Sequence, residues 1–134
     1  MNKSKILMKL LYWLPAFFWA GVIFYLSGRS GSQLQSMFPF FSGFDWGHVA
    51  AYFILSLLVA YALEQTVAPK RFKLWVLLIC FFYGLSDEIH QHFVPGRTPE
   101  WTDLANDVLG AFLALLIYPG CRACFKKEKA GQEP

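Results

Sequence analysis

Charge is scarce in this chain. Only 16% of its 134 residues are Asp, Glu, Lys or Arg, against about 25% in an ordinary soluble domain. That shortage excludes a typical water-soluble globule. Cysteine is scarce too, and Cys80, Cys121 and Cys124 do not make a disulfide scaffold. Cys121 and Cys124 have CxxC spacing but no second ligand pair, so they read as interfacial thiols. The basic residues sit beside apolar runs and form no stripe of their own, which excludes nucleic-acid binding. There is no internal repeat, and the length permits one compact unit.

Apolar and aromatic residues fill the space that charge leaves. The chain is 56% hydrophobic, with 14 Phe, five Trp and six Tyr, too many for a small soluble core. Four apolar runs stand out, and a spanning helix needs about 20 residues. They predict an all-α fold: a membrane-embedded four-helix bundle, with helices at about 10–28, 45–64, 71–92 and 99–118. The third and fourth runs reach spanning length only with their polar ends counted, so those ends should face a wet or protein-lined cavity. Lys3, Lys5 and Lys9 before the first run suit a signal peptide as well. The run is longer than the usual h-region, however, and no small-x-small cleavage site follows, so it reads as a retained helix.

The location of the basic residues predicts an orientation. With four spans, all of them except Arg29 and Arg97 fall on one side. The positive-inside rule then makes both termini cytoplasmic and turns the polar cluster outward, toward the cell exterior or periplasm. Trp13, Trp46, Trp75 and Trp101 lie near run ends, where interfacial anchors belong. Val94-Pro95-Gly96-Arg97 reads as a type II turn closing a short hairpin of the third and fourth helices. Thr98-Pro99-Glu100 reads as a helix start. The segment from Gly28 to Gly43 is expected to be an outer loop, with Met37 to Phe41 dipping into the headgroup layer. The polar tail 121–134 is expected to be cytoplasmic, and disordered after Cys124.

The chemistry concentrates between Ser86 and Asp107. An ionisable residue at the centre of a bilayer helix costs roughly 2.5–3.5 kcal/mol, so a cluster of them marks a candidate site. Asp87, His90 and Gln91 share one helical face, and Asp103, Asn106, Asp107 and Gly110 share another. Asp45 and His48 are one turn apart. If these faces meet, three helix ends converge on one pocket. His48 oriented by Asp45, with Asp87 or Glu88, would then be the acid/base groups. Arg97 would bind an anionic head group in bidentate fashion. Gln91, Asp103 and Asn106 would orient substrate or water. Asp87 and His90 are the candidates for a divalent metal, the only cofactor the pattern suggests.

Each residue has a plainer reading. Asp45 could be only a helix cap, and His48 an interfacial hydrogen-bonded histidine. Asp87 and Arg97 could be an ion pair locking the hairpin. Asp103 and Asn106 could be interhelical glue, and Gly110 a close-packing position. Glu88 and His92 could simply face water, and Glu100 could be a first-turn charge.

Three elements together resemble the VanZ-like family of small bacterial membrane proteins. They are Asp45-Trp46-Gly47-His48 with Tyr52, the run Asp87-Glu88-Ile89-His90-Gln91-His92-Phe93-Val94-Pro95-Gly96-Arg97, and Asp103-Leu104-Ala105-Asn106 with Gly110. The family often has Lys where this chain has Trp46. The resemblance implies a multi-pass membrane protein linked by name to glycopeptide (teicoplanin) resistance, with envelope lipids or lipid-linked wall precursors as targets. The expected function is acid/base chemistry, as a membrane-embedded hydrolase or transferase, on such an amphiphilic substrate. The alternative is a non-catalytic module that binds a lipid, a lipophilic glycopeptide or a partner. A proton-coupled transporter is a third reading, for which four short helices leave room only in an oligomer.

Overall fold

The computed structural model describes residues 3–39, 46–67 and 70–130, with residues 120–130 described by their backbone alone. Every regular element among them is helical: α1 (Lys3–Ser27), α2 (Gly31–Met37), α3 (Trp46–Thr66), α4 (Phe72–His92) and α5 (Trp101–Ala130). The element ends differ from the apolar runs for local reasons. α1 begins at Lys3 because lysine is a good helix former whatever its hydropathy. α5 continues to Ala130, beyond the disorder expected after Cys124, through a stretch rich in Lys, Glu and Ala.

Among the described residues, three helices are long and apolar enough to cross a membrane: α1, α3 and the Trp101–Pro119 part of α5. α4 matches α3 in length. Its interior is also apolar, but Lys73 stands at one end and Asp87, Glu88, His90 and His92 at the other.

The expected outer loop contains α2. Ser30 and Gln33 form a capping box: the Ser30 hydroxyl accepts from the Gln33 N–H, and the Gln33 side chain accepts from the Ser30 N–H. Phe40 and Phe41, expected in the headgroup layer, lie outside the described residues. The turn after α4 follows the sequence reading. Gly96 has φ +77°, and the Arg97 N–H donates to the Val94 carbonyl over 3.1 Å. A type II turn needs that positive φ at its third position, which glycine adopts without strain. The next helix starts at Trp101, later than Thr98-Pro99-Glu100 suggests, so Asp103 is the acid in its first turn.

α3 is central and packs on α1, α4 and α5. Its approach to α5 is close because small residues line it. Ala60, Ala111 and Ala114 are fully buried, and the Ser56 hydroxyl donates to the Ala111 carbonyl over 3.1 Å. A methyl group at Gly110 would run into the Val49 carbonyl. Small residues at such a contact let backbones meet and gain dispersion energy where lipid removes the hydrophobic drive. Side chains then tie the outer helices to this pair. Trp13 donates to Thr66, and Trp19 to the Ala51 carbonyl, which fastens α1 to α3. The Tyr83 hydroxyl donates to the Ala20 carbonyl over 2.6 Å, which fastens α4 to α1.

Gly110→Ala is therefore expected to push α5 off α3 and destabilise the fold by about 1–3 kcal/mol. Gly21→Ala, where an added methyl meets nothing, is the control and should be near neutral. Thermal unfolding of both variants in one detergent checks this.

Candidate functional site

The polar residues gather where α3, α4 and α5 meet at the α4–α5 turn. On α3, His48 stands beside Val49, the residue whose carbonyl faces Gly110. On α5, Asp107 lies one turn before Gly110. The contact that joins the helices thus sets these two side chains opposite each other. His48 Nδ1 and Asp107 Oδ1 are 2.9 Å apart, and Asp107 has no exposed surface. The other ring nitrogen, Nε2, is 3.8 Å from Asp103 Oδ2. The imidazole therefore sits between two carboxylates from successive turns of α5. Both contacts become ion pairs when the ring is protonated.

A second glycine makes room for this arrangement. A methyl group at Gly84 of α4 would stand 2.7 Å from Asp107 Oδ2. That oxygen is buried without a hydrogen-bond partner, as are Asp87 Oδ1 and the Tyr52 hydroxyl. Asp87 Oδ2 accepts from the Gln91 amide at 3.2 Å, and the same amide donates to the Ser27 hydroxyl at 3.2 Å. Both Asp87 and Gln91 are almost fully buried. The Asp87–Arg97 ion pair of the plainer reading is not among the ion pairs formed by the described residues. Arg97 keeps its Nε buried and without a hydrogen-bond partner.

Of the residues selected from sequence, His48, Asp87, Gln91 and Arg97 line one cleft of about 620 Å³, together with Tyr52. Asp103 reaches that group through the His48 ring. Asn106 is half-buried on α5 and does not line the cleft. Glu88 faces the other way. It is buried, against the plainer reading of a water-facing side chain, and its Oε2 accepts from the Glu100 N–H over 3.1 Å. That bond braces the entry to α5 and sits in a smaller hollow with Pro99 and Trp101. His92 is exposed. His90, a candidate metal ligand, stacks on Phe24 with ring centroids 4.1 Å apart. Among the described residues no group of three or more His, Cys, Asp or Glu has metal-holding geometry. Asp45 lies outside the described residues.

Sequence reasoning leaves Asp107 without a role, although its spacing from Asp103 puts it on the right face. In the structure Asp107 is the hydrogen-bond partner of His48. Tyr52 enters the sequence reading only through its motif, and the structure buries it completely at the same place. Gly84 carries no sequence signal, because its importance depends on a side chain of another helix.

Set against known proteins, the chain matches the family model described as VanZ/LLP1 over residues 10–124. No curated protein and no solved structure matches the chain.

Removing one partner of a buried pair strands the other without compensation, at roughly 3–5 kcal/mol. His48→Ala should therefore destabilise the protein more than the double variant His48→Ala/Asp107→Ala does. A double-mutant cycle from unfolding in detergent is expected to give a coupling of about 1–3 kcal/mol. Additive effects would mean that the short His48–Asp107 contact has no energetic content.

Proposed function

The chain belongs to the VanZ/LLP1 family, and on that premise we propose that it is a membrane enzyme that acts on an amphiphilic cell-envelope substrate by acid/base chemistry. The substrate class is a lipid or a lipid-linked wall precursor, and the reaction a hydrolysis or group transfer. The observation that carries this reading is the His48 imidazole held at Nδ1 by the buried Asp107 carboxylate. Such a partner fixes the ring and stabilises its charged form. Nε2 is then the working edge. It takes a proton from an attacking hydroxyl or water and gives it to the leaving oxygen. Asp103, on the Nε2 side, orients the group that exchanges the proton. Asp87 and Gln91 line the cleft as further polar contacts, and Arg97 receives the anionic part of the substrate. Asp45 is kept in the proposed site from the sequence alone, while Glu88 and Asn106, which do not line the cleft, have no role in this step.

Membrane placement belongs to the same proposal. α4 spans together with α1, α3 and α5, both termini face the cytoplasm, and the site opens on the exterior of the bacterial cytoplasmic membrane. The asymmetry of the basic residues supports this. A single cysteine placed at Ser32, in a background without the native cysteines, should react with an impermeant maleimide on intact cells. One placed at Lys70 should react only after permeabilisation. The reverse pattern would overturn the orientation.

The chemistry is tested with conservative variants. Cells expressing the protein should differ in their envelope lipid and lipid-linked precursor profile, read by mass spectrometry. His48→Gln and Asp107→Asn, folded and at equal abundance, should reduce that difference by about a hundredfold or more. An unchanged profile in both would remove the acid/base reading and leave a binding module.

A further inference from the structure

Away from His48 the cleft is walled by hydrocarbon. Trp19, Val22, Ile23 and Leu26 share one face of α1 and form one side. Gly47, Ala50, Ala51 and Ile54 of α3 form another, and α2 adds Leu34 and Phe38. None of these side chains is charged. Their one polar atom, the Trp19 indole nitrogen, already bonds the Ala51 carbonyl. Ala50 and Ile54 are exposed, so the cleft is open along its side. Its volume of about 620 Å³ lies within the range of built ligand sites, roughly 300–1,000 Å³.

The course of the cleft along the helices indicates what fills it. The α1 wall stops just before that helix ends at Ser27, and the α3 wall starts just after that helix begins at Trp46. From Trp19 to Leu26, and from Gly47 to Ile54, each wall rises about 10 Å. The cleft therefore runs parallel to two helices that are long and apolar enough to cross a membrane, from their ends inward. The hydrocarbon of one leaflet is roughly 15 Å deep, half of about 30 Å. A groove so placed starts at the head-group boundary and follows most of that depth, as a lipid chain does. Water is a poor occupant, because it needs two to four polar partners. An empty groove would forfeit dispersion contacts along both walls.

We propose that one hydrocarbon chain of a bilayer lipid lies in this cleft, entering sideways past Ala50 and Ile54, with the junction of chain and head group beside His48. His48 stands at the outer end of the groove, and 18% of its side chain is accessible. The inference deepens the function proposed above and rests on it for the membrane setting and for the work of His48. It names the recognised part of the substrate, the chain, and the bonds brought to the imidazole, those at the chain–head junction. The head group stays outside. The unmatched atoms of Tyr52, Asp87 and Arg97 are closed off behind the wall and select nothing.

The test uses the full chain in nanodiscs of phosphatidylcholine that carries a diazirine halfway along one chain. After irradiation, lipid adducts are mapped by peptide mass spectrometry. Lipid that only surrounds the protein labels exposed side chains of α1 such as Phe17 and Phe18. Ile23 is 5% exposed and borders the cleft, so a chain must lie inside to label it. The wild type is expected to carry adducts at Ile23 as well as at Phe17 and Phe18. Ala50→Phe puts a ring into the cleft and should lower the Ile23 adducts about tenfold, as lost contact for roughly two methylene groups would give. Gly21→Phe, on the other side of α1 where an added atom meets nothing, should leave them unchanged. Labelling of Phe17 and Phe18 without Ile23 in the wild type would overturn the proposal and point to a second copy or a partner segment on this face. Ile23 labelling that survives Ala50→Phe, or that falls equally in Gly21→Phe, would overturn it too. The wild-type map needs no variant, so the proposal stays refutable where Ala50→Phe does not fold. Labelling is read without turnover. The chain can be absent from the cleft while the His48 variants still alter the envelope profile, and present while they do not, so the two readings fail separately.

Discussion

The site depends on the contact of two backbones. Where Gly110 of α5 meets the Val49 carbonyl of α3, there is no space for even one methyl group. His48 precedes Val49 by one residue and Asp107 precedes Gly110 by one turn. The closeness of the helices is thus what brings a short histidine and a short aspartate to 2.9 Å. Widening the helix pair by the diameter of a methyl group would leave a fully buried carboxylate facing a gap. In hydrocarbon that carboxylate has no water to turn to. Gly84 repeats the device on the third helix by withholding the atom that would collide with the other Asp107 oxygen. Two glycines on different helices hold open the volume of one acid.

Compensation at this junction is uneven, and the unevenness is informative. The hydrophobic bulk of the chain asks for little beyond packing. The polar residues at the helix junction satisfy one another only in part. His48 with Asp107, and Gln91 with Asp87 and Ser27, are made pairs. Tyr52, Arg97 and one oxygen each of Asp87 and Asp107 keep unmet buried atoms. Leaving a buried donor or acceptor unmatched costs about 1–3 kcal/mol each. The unmatched atoms have almost no accessible surface, so this cost falls on the packed junction itself.

Much of this is legible in the sequence, and what is not follows a pattern. The helical content, the expense of the polar cluster, the shared faces and the turn at Gly96 all rest on spacing within one segment, and local spacing is visible in a linear chain. Sequence reasoning pairs His48 with Asp45, its near neighbour, and the described partner is Asp107 from another helix. It offers Glu88 as an alternative to Asp87, yet adjacent residues on a helix point about 100° apart, and Glu88 faces the α5 entry instead. The capped α2 hides inside a segment that composition reads as loop. In each case the deciding fact is which helix lies opposite, and no period in the sequence records that.

The two sides of α3 differ in the size of what faces them. Its residues toward α5 are small, and a backbone has closed onto them. Its residues toward α1 are also small at Gly47, Ala50 and Ala51, but the side chains that face them from α1, Trp19 and Ile23, are large, and a cleft remains beside the α1–α3 contact. The indole of Trp19 in addition bonds the Ala51 carbonyl, so the cleft opens beside a made contact. Small residues on both faces of one helix thus give different results, a backbone contact toward α5 and a side-chain contact with a cleft beside it toward α1, according to the size of what faces them. His48 stands between the two. Its Nδ1 is committed to the closed side through Asp107, and its ring borders the open one. A proton carrier so placed is anchored by the packed half of the bundle and presented to whatever occupies the unpacked half.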